Sequence, residues 1–195
     1  MKSVCVYCGS AIGAQPVYAE AAEELGEELV RRELKLVYGG AGVGLMGKVA
    51  DTVIAGNGKV TGVMPRNLFR NEVPHNDLPD MIHVDSMHER KALMADLADC
   101  FIAMPGGLGT IEELFEILTW SQLKIHQKPC GILNVSGYYD GLLEFMDHCV
   151  DQKFIRTQHR DMLIVESDPA ALLDRCEKFQ PVDVPKWVDL ESTAG

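Results

Sequence analysis

The chain has no apolar run long enough to cross a bilayer, which takes about 20 residues. Its opening stretch, Met1-Lys2-Ser3-Val4-Cys5-Val6-Tyr7, is too short for the apolar core of a signal peptide. These two absences lead to the expectation of a cytoplasmic protein with no membrane partner. Positive charge is also scarce: 18 Lys and Arg stand against 29 Asp and Glu, a formal net charge of -11. A long polyanion would be repelled overall, so no nucleic-acid polymer is expected as a partner. Six cysteines in 195 residues do not make a disulfide scaffold, and Cys5, Cys100, Cys130, Cys149 and Cys176 sit in apolar patterns like small core residues. Cys5-Val6-Tyr7-Cys8 is a C-x-x-C, but there is no second such pair to complete a zinc site. The six histidines are scattered without H-E-x-x-H spacing, so no metal is expected. No G-x-S-x-G elbow is present, which leaves acyl hydrolysis without support. Internal repeats and low-complexity segments are missing too.

What remains is an ordinary globular balance, 47% hydrophobic and 24% charged, in a length that fits one domain. The 18 glycines exceed average usage. Short β-rich runs alternate with helical patterns. Strands are predicted at Val4–Tyr7, Leu34–Tyr38, Lys59–Met64 (ended by Pro65), Met81–Val84, Cys100–Met104, Cys130–Asn134 and Met162–Val165. Helices are predicted at Val17–Arg32, Gly44–Ala55, Met87–Ala98, Ile111–Leu123, Tyr139–Val150 and Pro169–Lys178. Residues 66–80 read as a loop. The alternation implies a single-domain, Rossmann-like α/β fold: a parallel sheet with helices on both faces. The domain is expected over 1–178 and a loosely ordered tail over 179–195. Ligands in such sheets bind at the carboxyl ends of the strands. Four loops follow strands there: Cys8–Gly13, Gly39–Gly47, Arg66–His75 and Pro105–Thr110.

The loop Gly39-Gly40-Ala41-Gly42-Val43-Gly44-Leu45-Met46-Gly47-Lys48 contains G-x-G-x-x-G at Gly42, Gly44 and Gly47. Most of a P-loop is there as well, but Val49 stands where a Ser or Thr should bind magnesium. The acidic residue expected about 20 residues beyond a dinucleotide loop is absent. A tight strand-to-helix turn explains the glycines, as does close approach of the backbone to a ribose or phosphate. The loop Pro105–Thr110 precedes an amphipathic helix. Gly106, Gly107 and Gly109 leave room for converging amides. Thr110 can cap the helix and also donate its hydroxyl, and N–H groups and a positive dipole end meet at one point suited to phosphate.

Thr110-Ile111-Glu112-Glu113 also fits a capping box, in which Glu113 bonds back to the helix start. Ser86-Met87-His88-Glu89 is a second capping box. Arg90 and Lys91 follow it early in a helix, where the dipole disfavours cations. They are either solvated cations beside Glu89 or two cations aimed at an anionic ligand.

Pro105-Gly106-Gly107-Leu108-Gly109-Thr110-Ile111-Glu112-Glu113 resembles the PGGxGTxxE signature of the LOG ("LONELY GUY") family. Met87-His88-Glu89-Arg90-Lys91 resembles the family's second signature, and Tyr38–Gly47 its YGGGxxGLMG loop. Cys8-Gly9-Ser10 and Gly137-Tyr138-Tyr139-Asp140 fit as well. Ala41 and Ala11 depart from the usual Gly and Ser. The resemblance covers about residues 1–178.

It implies hydrolysis of the N-glycosidic bond of an adenine nucleotide 5′-monophosphate, AMP or an N6-prenylated cytokinin riboside monophosphate. The products would be ribose 5-phosphate and free base, with no cofactor. It further implies nucleotide contacts from Glu72, Arg90, Lys91, Gly106, Gly107, Leu108, Gly109, Thr110, Ile111, Glu112 and Thr119. Ser10, Gly39, Gly40, Gly42 and Gly44 join them from the other matching loops. Arg90 and Glu113 would be catalytic, and the family is typically homodimeric. Alternative readings are a non-catalytic carrier of a nucleotide-like ligand such as a molybdenum cofactor, an amino-acid decarboxylase, and a different N-glycosidase.

Overall fold

Every residue of strand β1 (Ser3–Tyr7) is buried. A strand with no wet side belongs in the middle of a sheet covered on both faces, and the computed structural model places it there. The structure describes residues 1–66, 73–76, 78 and 80–181. Glu72 and residues 182–195 of the expected tail lie outside the described residues. The remaining strands are β2 (Lys35–Tyr38), β3 (Val60–Pro65), β4 (Met81–Val84), β5 (Cys100–Ala103), β6 (Cys130–Leu133) and β7 (Leu163–Glu166). They form a seven-stranded sheet of order β4-β3-β2-β1-β5-β6-β7, parallel at every pairing. The expected α/β architecture is present.

Alternation along the strands sends side chains to opposite faces. Val4 and Val6 face helices α1 (Val17–Arg31), α2 (Gly44–Ala55) and α7 (Pro169–Glu177). Cys5 and Tyr7 face α3 (Met87–Leu97) and α4 (Leu108–Gln122). Further along that second face, Ala103 and Ile132 meet α4 and α5 (Asp140–Asp151). In α1, Ala21, Leu25 and Leu29 recur every four residues and are all buried, the two leucines completely. Truncating either leucine to Ala would cost about 2–5 kcal/mol.

Three differences from the sequence reading have local causes. Pro65 belongs to β3 rather than ending it. The pairing of β2 with β3 stops at Tyr38 and Gly62, so the missing Pro65 N–H faces past the end of β2. A 3-10 turn at Val135–Gly137 and the four-residue α6 (Thr157–Arg160) were not foreseen, being too short to show a period. Helix α4 starts at Leu108 rather than Ile111, which bears on the site.

Candidate active site

Strand β1 leads into α1 on one face of the sheet, while its neighbour β5 leads into α4 on the other. The chain therefore departs in opposite directions, and a crevice opens between the two strand ends. Backbone bonds knit the two loops just beyond them. Met104 N donates to Tyr7 O at 2.9 Å, and Gly9 N donates to Pro105 O at 3.0 Å. Tyrosines on the turn after β6 fasten the second loop: Tyr139 Oη donates to Met104 O and Tyr138 Oη to Gly106 O, each at 2.7 Å.

The N-terminal turns of α2 and α4 both reach this crevice, and they differ. At α2, Leu45 N and Met46 N both donate to Gly9 O, at 3.0 and 3.3 Å. Its leading amides are thus engaged by the loop after β1. Gly44 takes φ 62°, and a Cβ there would lie 2.5 Å from Ala11 N, on top of the Ser10 backbone. Gly40 O accepts from His75 N and Gly42 N donates to Val73 O, both at 2.9 Å. The first glycine loop is accordingly tied to its neighbours by its own backbone.

At α4 the N-cap is Gly107, and the first intrahelical bond runs from Ile111 N to Gly107 O at 3.1 Å. This corrects the expectation that Thr110 caps the helix. Thr110 is the third helical residue and is buried. The capping box fails with it, because Glu113 sits a full turn beyond the position that could reach back to the cap. Sequence could not separate the two frames, since three glycines precede Thr110 and none forbids an earlier start. Leu108, Gly109 and Thr110 now hold the amides at the positive end of the helix. Leu108 itself is almost fully exposed.

Helix α3 brings the cations. Ser86 caps it as predicted, accepting from Glu89 N at 3.1 Å, although Glu89 Oε2 accepts from Asp85 N rather than from Ser86. Arg90 is 4% exposed. Its Nη2 donates to Gly39 O at 3.1 Å, and its Nη1 lies 3.7 Å from Met87 Sδ. Lys91 takes a different course. Its ammonium bridges Glu112 at 2.6 Å and Glu116 at 2.9 Å, joining α3 to α4. Burial works to lower the Lys91 pKa, but the two carboxylates outweigh it and hold it above the ordinary lysine value.

Glu113 and Arg90 lie around the same strand. Burial pushes the Cys5, Cys8 and Tyr7 pKa values up, and the Glu113 charge pushes each further in the same direction. Arg90 opposes it at Cys5. One thiol therefore feels both charges.

A cleft of about 170 Å³ gathers these groups. Of the residues expected from sequence, Ser10, Arg90, Gly109, Thr110, Glu112 and Glu113 line it. Cys8, Gly9, Met46 and Met87 line it too. The methionines lie inside the quoted signatures but carry no polar chemistry that would single them out. Gly106 lines an adjoining apolar hollow of about 150 Å³ with Ile12, Tyr18 and Tyr138. Thr119 lies near the far end of α4, where its hydroxyl donates to Phe115 O at 2.7 Å. Ile111 is half-buried on α4. Larger hollows elsewhere, such as one of about 390 Å³ beside Val30, Gly56 and Lys59, sit away from the strand ends. Among the described residues no cluster of three or more His, Cys, Asp or Glu is arranged to hold a metal ion, and no helix is long and apolar enough to cross a membrane.

The family described as "Possible lysine decarboxylase" matches residues 46–176. The chain is 47% identical over 182 residues to cytokinin riboside 5′-monophosphate phosphoribohydrolase LOG5 of Arabidopsis thaliana, covering 93% of this chain and 80% of that one. The chain belongs to the LOG family. It is similarly 48% identical over 180 residues to the phosphoribohydrolase LOG of Oryza sativa subsp. japonica, covering 92% of this chain and 74% of that protein. Solved structures share the fold of this LOG-family chain at lower identity. A molybdenum cofactor binding protein from Rippkaea orientalis aligns with TM-score 0.68 at 20% identity, covering 91% of this chain and 97% of that one. A molybdenum cofactor carrier protein from Chlamydomonas reinhardtii aligns with TM-score 0.67 at 17% identity, covering 91% and 96%. At that identity the likeness speaks for the fold alone.

Proposed function

We propose that this LOG-family chain hydrolyses the N-glycosidic bond of adenine nucleotide 5′-monophosphates, AMP or cytokinin riboside 5′-monophosphates, giving free base and ribose 5-phosphate. The observation that carries the reading is the meeting of Arg90 and Glu113 in one cleft with the leading residues of α4. The names of the relatives support the reaction class.

N-glycoside cleavage passes through an oxocarbenium-like state, as O-glycoside cleavage does. The Glu113 carboxylate stabilises the cation at C1′ and orients the attacking water or takes its proton. The Arg90 guanidinium answers the negative charge that gathers on the departing base. Water adds to C1′, the C1′–N bond breaks, and the base leaves with a proton. Amides at the start of α4, together with Thr110, hold the 5′-phosphate, so that remote binding energy fixes the ribose. Glu72, Ser10, Gly40, Gly42, Gly44 and Thr119 complete the proposed substrate contacts. Lys91 acts within this scheme through its grip on Glu112.

Glu113→Gln keeps the size and shape of the side chain and removes the charge. It is expected to lower kcat for base release by about 10²- to 10⁴-fold. AMP, a prenylated AMP, adenosine and lysine, each with the purified protein, separate the alternatives. Free base from the nucleotides alone supports the proposal. Base from adenosine points to a nucleosidase, carbon dioxide from lysine to a decarboxylase, and tight binding without product to a carrier.

The protein is further proposed to act as a cytoplasmic homodimer. The homodimer follows the family resemblance. Light scattering that returned a monomer mass at working concentration would refute it.

A further inference from the structure

Gly39 follows β2 directly, is buried, and carries no strained backbone: its φ lies outside the left-handed region. Nothing in its own conformation therefore calls for glycine. Its surroundings do. A Cβ built on Gly39 falls inside Nη2 of Arg90 and lies 3.1 Å from Arg90 Cζ. The next neighbour, Met46 Sδ, stands at 3.4 Å, an ordinary contact. The Gly39 carbonyl meanwhile accepts from the same Nη2 at 3.1 Å. The residue thus offers the guanidinium both an acceptor and the space in which to reach it.

We propose that Gly39 is a positioning residue, whose missing side chain is the seat of the Arg90 guanidinium. This inference rests on the catalytic reading of Arg90 given above. It also assigns Gly39 a task other than substrate contact. A methyl group at position 39 leaves the backbone unstrained and meets only the end of a flexible side chain, so the chain folds and the guanidinium gives way. To regain van der Waals separation of about 3.5 Å, the guanidinium retreats by on the order of 1–2 Å. A misplacement of about 1 Å at a reacting centre can cost about 10²-fold in rate.

The test is a double-mutant cycle on the full-length protein. Gly39→Ala is expected to lower kcat for AMP hydrolysis by roughly 10- to 100-fold with KM changed less than about threefold. In an Arg90→Lys background, whose ammonium lacks the forked Nη2, Gly39→Ala should change kcat less than about twofold. Equal losses in both backgrounds would show that Gly39 acts independently of Arg90 and overturn the proposal. Full activity of Gly39→Ala alongside an impaired Arg90→Lys would overturn it also.

A second readout needs no activity. Phenylglyoxal modification of Arg90, followed by peptide mass, should be slow in the wild type and at least several-fold faster in Gly39→Ala. Unchanged protection refutes the seat. If Arg90→Lys retains full activity while Gly39→Ala still unmasks Arg90, the catalytic reading fails and the seat stands.

Discussion

The hydroxyl of Tyr138 donates to the carbonyl of Gly106 at 2.7 Å, linking the turn after β6 to the glycine loop that opens α4. Its neighbour Tyr139 makes the same kind of bond to Met104 O at the same distance, but from 2% exposure against 43% for Tyr138. Burial decides what each bond contributes. Tyr138→Phe leaves a carbonyl that water can reach, and should cost under about 0.5 kcal/mol in urea unfolding. Tyr139→Phe removes a buried donor from a buried carbonyl and should cost about 1–3 kcal/mol. Equal losses in the two variants would mean that the exposed bond is shielded by something other than Tyr138 itself.

Gly44 and Gly39 belong to one loop and respond oppositely to a methyl group. Gly44 sits at φ 62° with the Ser10–Ala11 backbone where its Cβ would go. Backbone strain of this kind costs about 1–3 kcal/mol, and overpacking adds about 1–3 kcal/mol more. Gly44→Ala is therefore expected to lower Tm by roughly ten degrees or more, taking activity down with it. Gly39→Ala, which displaces one buried hydrogen bond without straining the backbone, should lower Tm by clearly less than Gly44→Ala does. Thermal unfolding of the two variants side by side checks the contrast, and a stable Gly44→Ala would contradict it.

The two ring nitrogens of His126 meet opposite partners, one acceptor and one donor. Nε2 donates to Ile117 O at 2.8 Å, while Nδ1 accepts from Lys128 N at 3.1 Å. Burial lowers its pKa, the bond to Ile117 opposes this, and the nearby Lys128 charge lowers it further. A histidine whose folded pKa lies below its unfolded value, about 6.5, stabilises the fold fully above that value. The contribution is lost as pH falls through the folded pKa. His126→Phe should be less stable than the parent at pH 7.5, by about 1 kcal/mol, and the gap should narrow steadily between pH 6.5 and pH 5. A gap that widened on acidification would mean that the fold favours the charged ring, and would refute the lowered pKa.

The parallel sheet and its layers were legible because strands and amphipathic helices write their periods into consecutive residues. Leu25 and Leu29 in α1 and the alternation of Val4, Cys5, Val6 and Tyr7 in β1 are examples. The Ser86 cap was legible for the same reason, being a contact between near neighbours. The glycine signature at Pro105–Glu113 marked the family and four of the residues that line the cleft, Gly109, Thr110, Glu112 and Glu113. Its helix frame stayed undecided, because glycine permits several starts and only tertiary bonds from Tyr138, Tyr139 and Gly9 hold the loop in one of them.

The sequence by itself thus determined the fold class, the family and the segments that build the cleft, all of them local patterns. Tertiary structure alone decided which glycine loop has its leading amides engaged, where Lys91 goes, and why position 39 is glycine. Those answers depend on groups far apart in the chain, such as Gly39 and Arg90 at 51 residues' separation. Their meeting is set by sheet order and helix packing, which no neighbouring residue encodes.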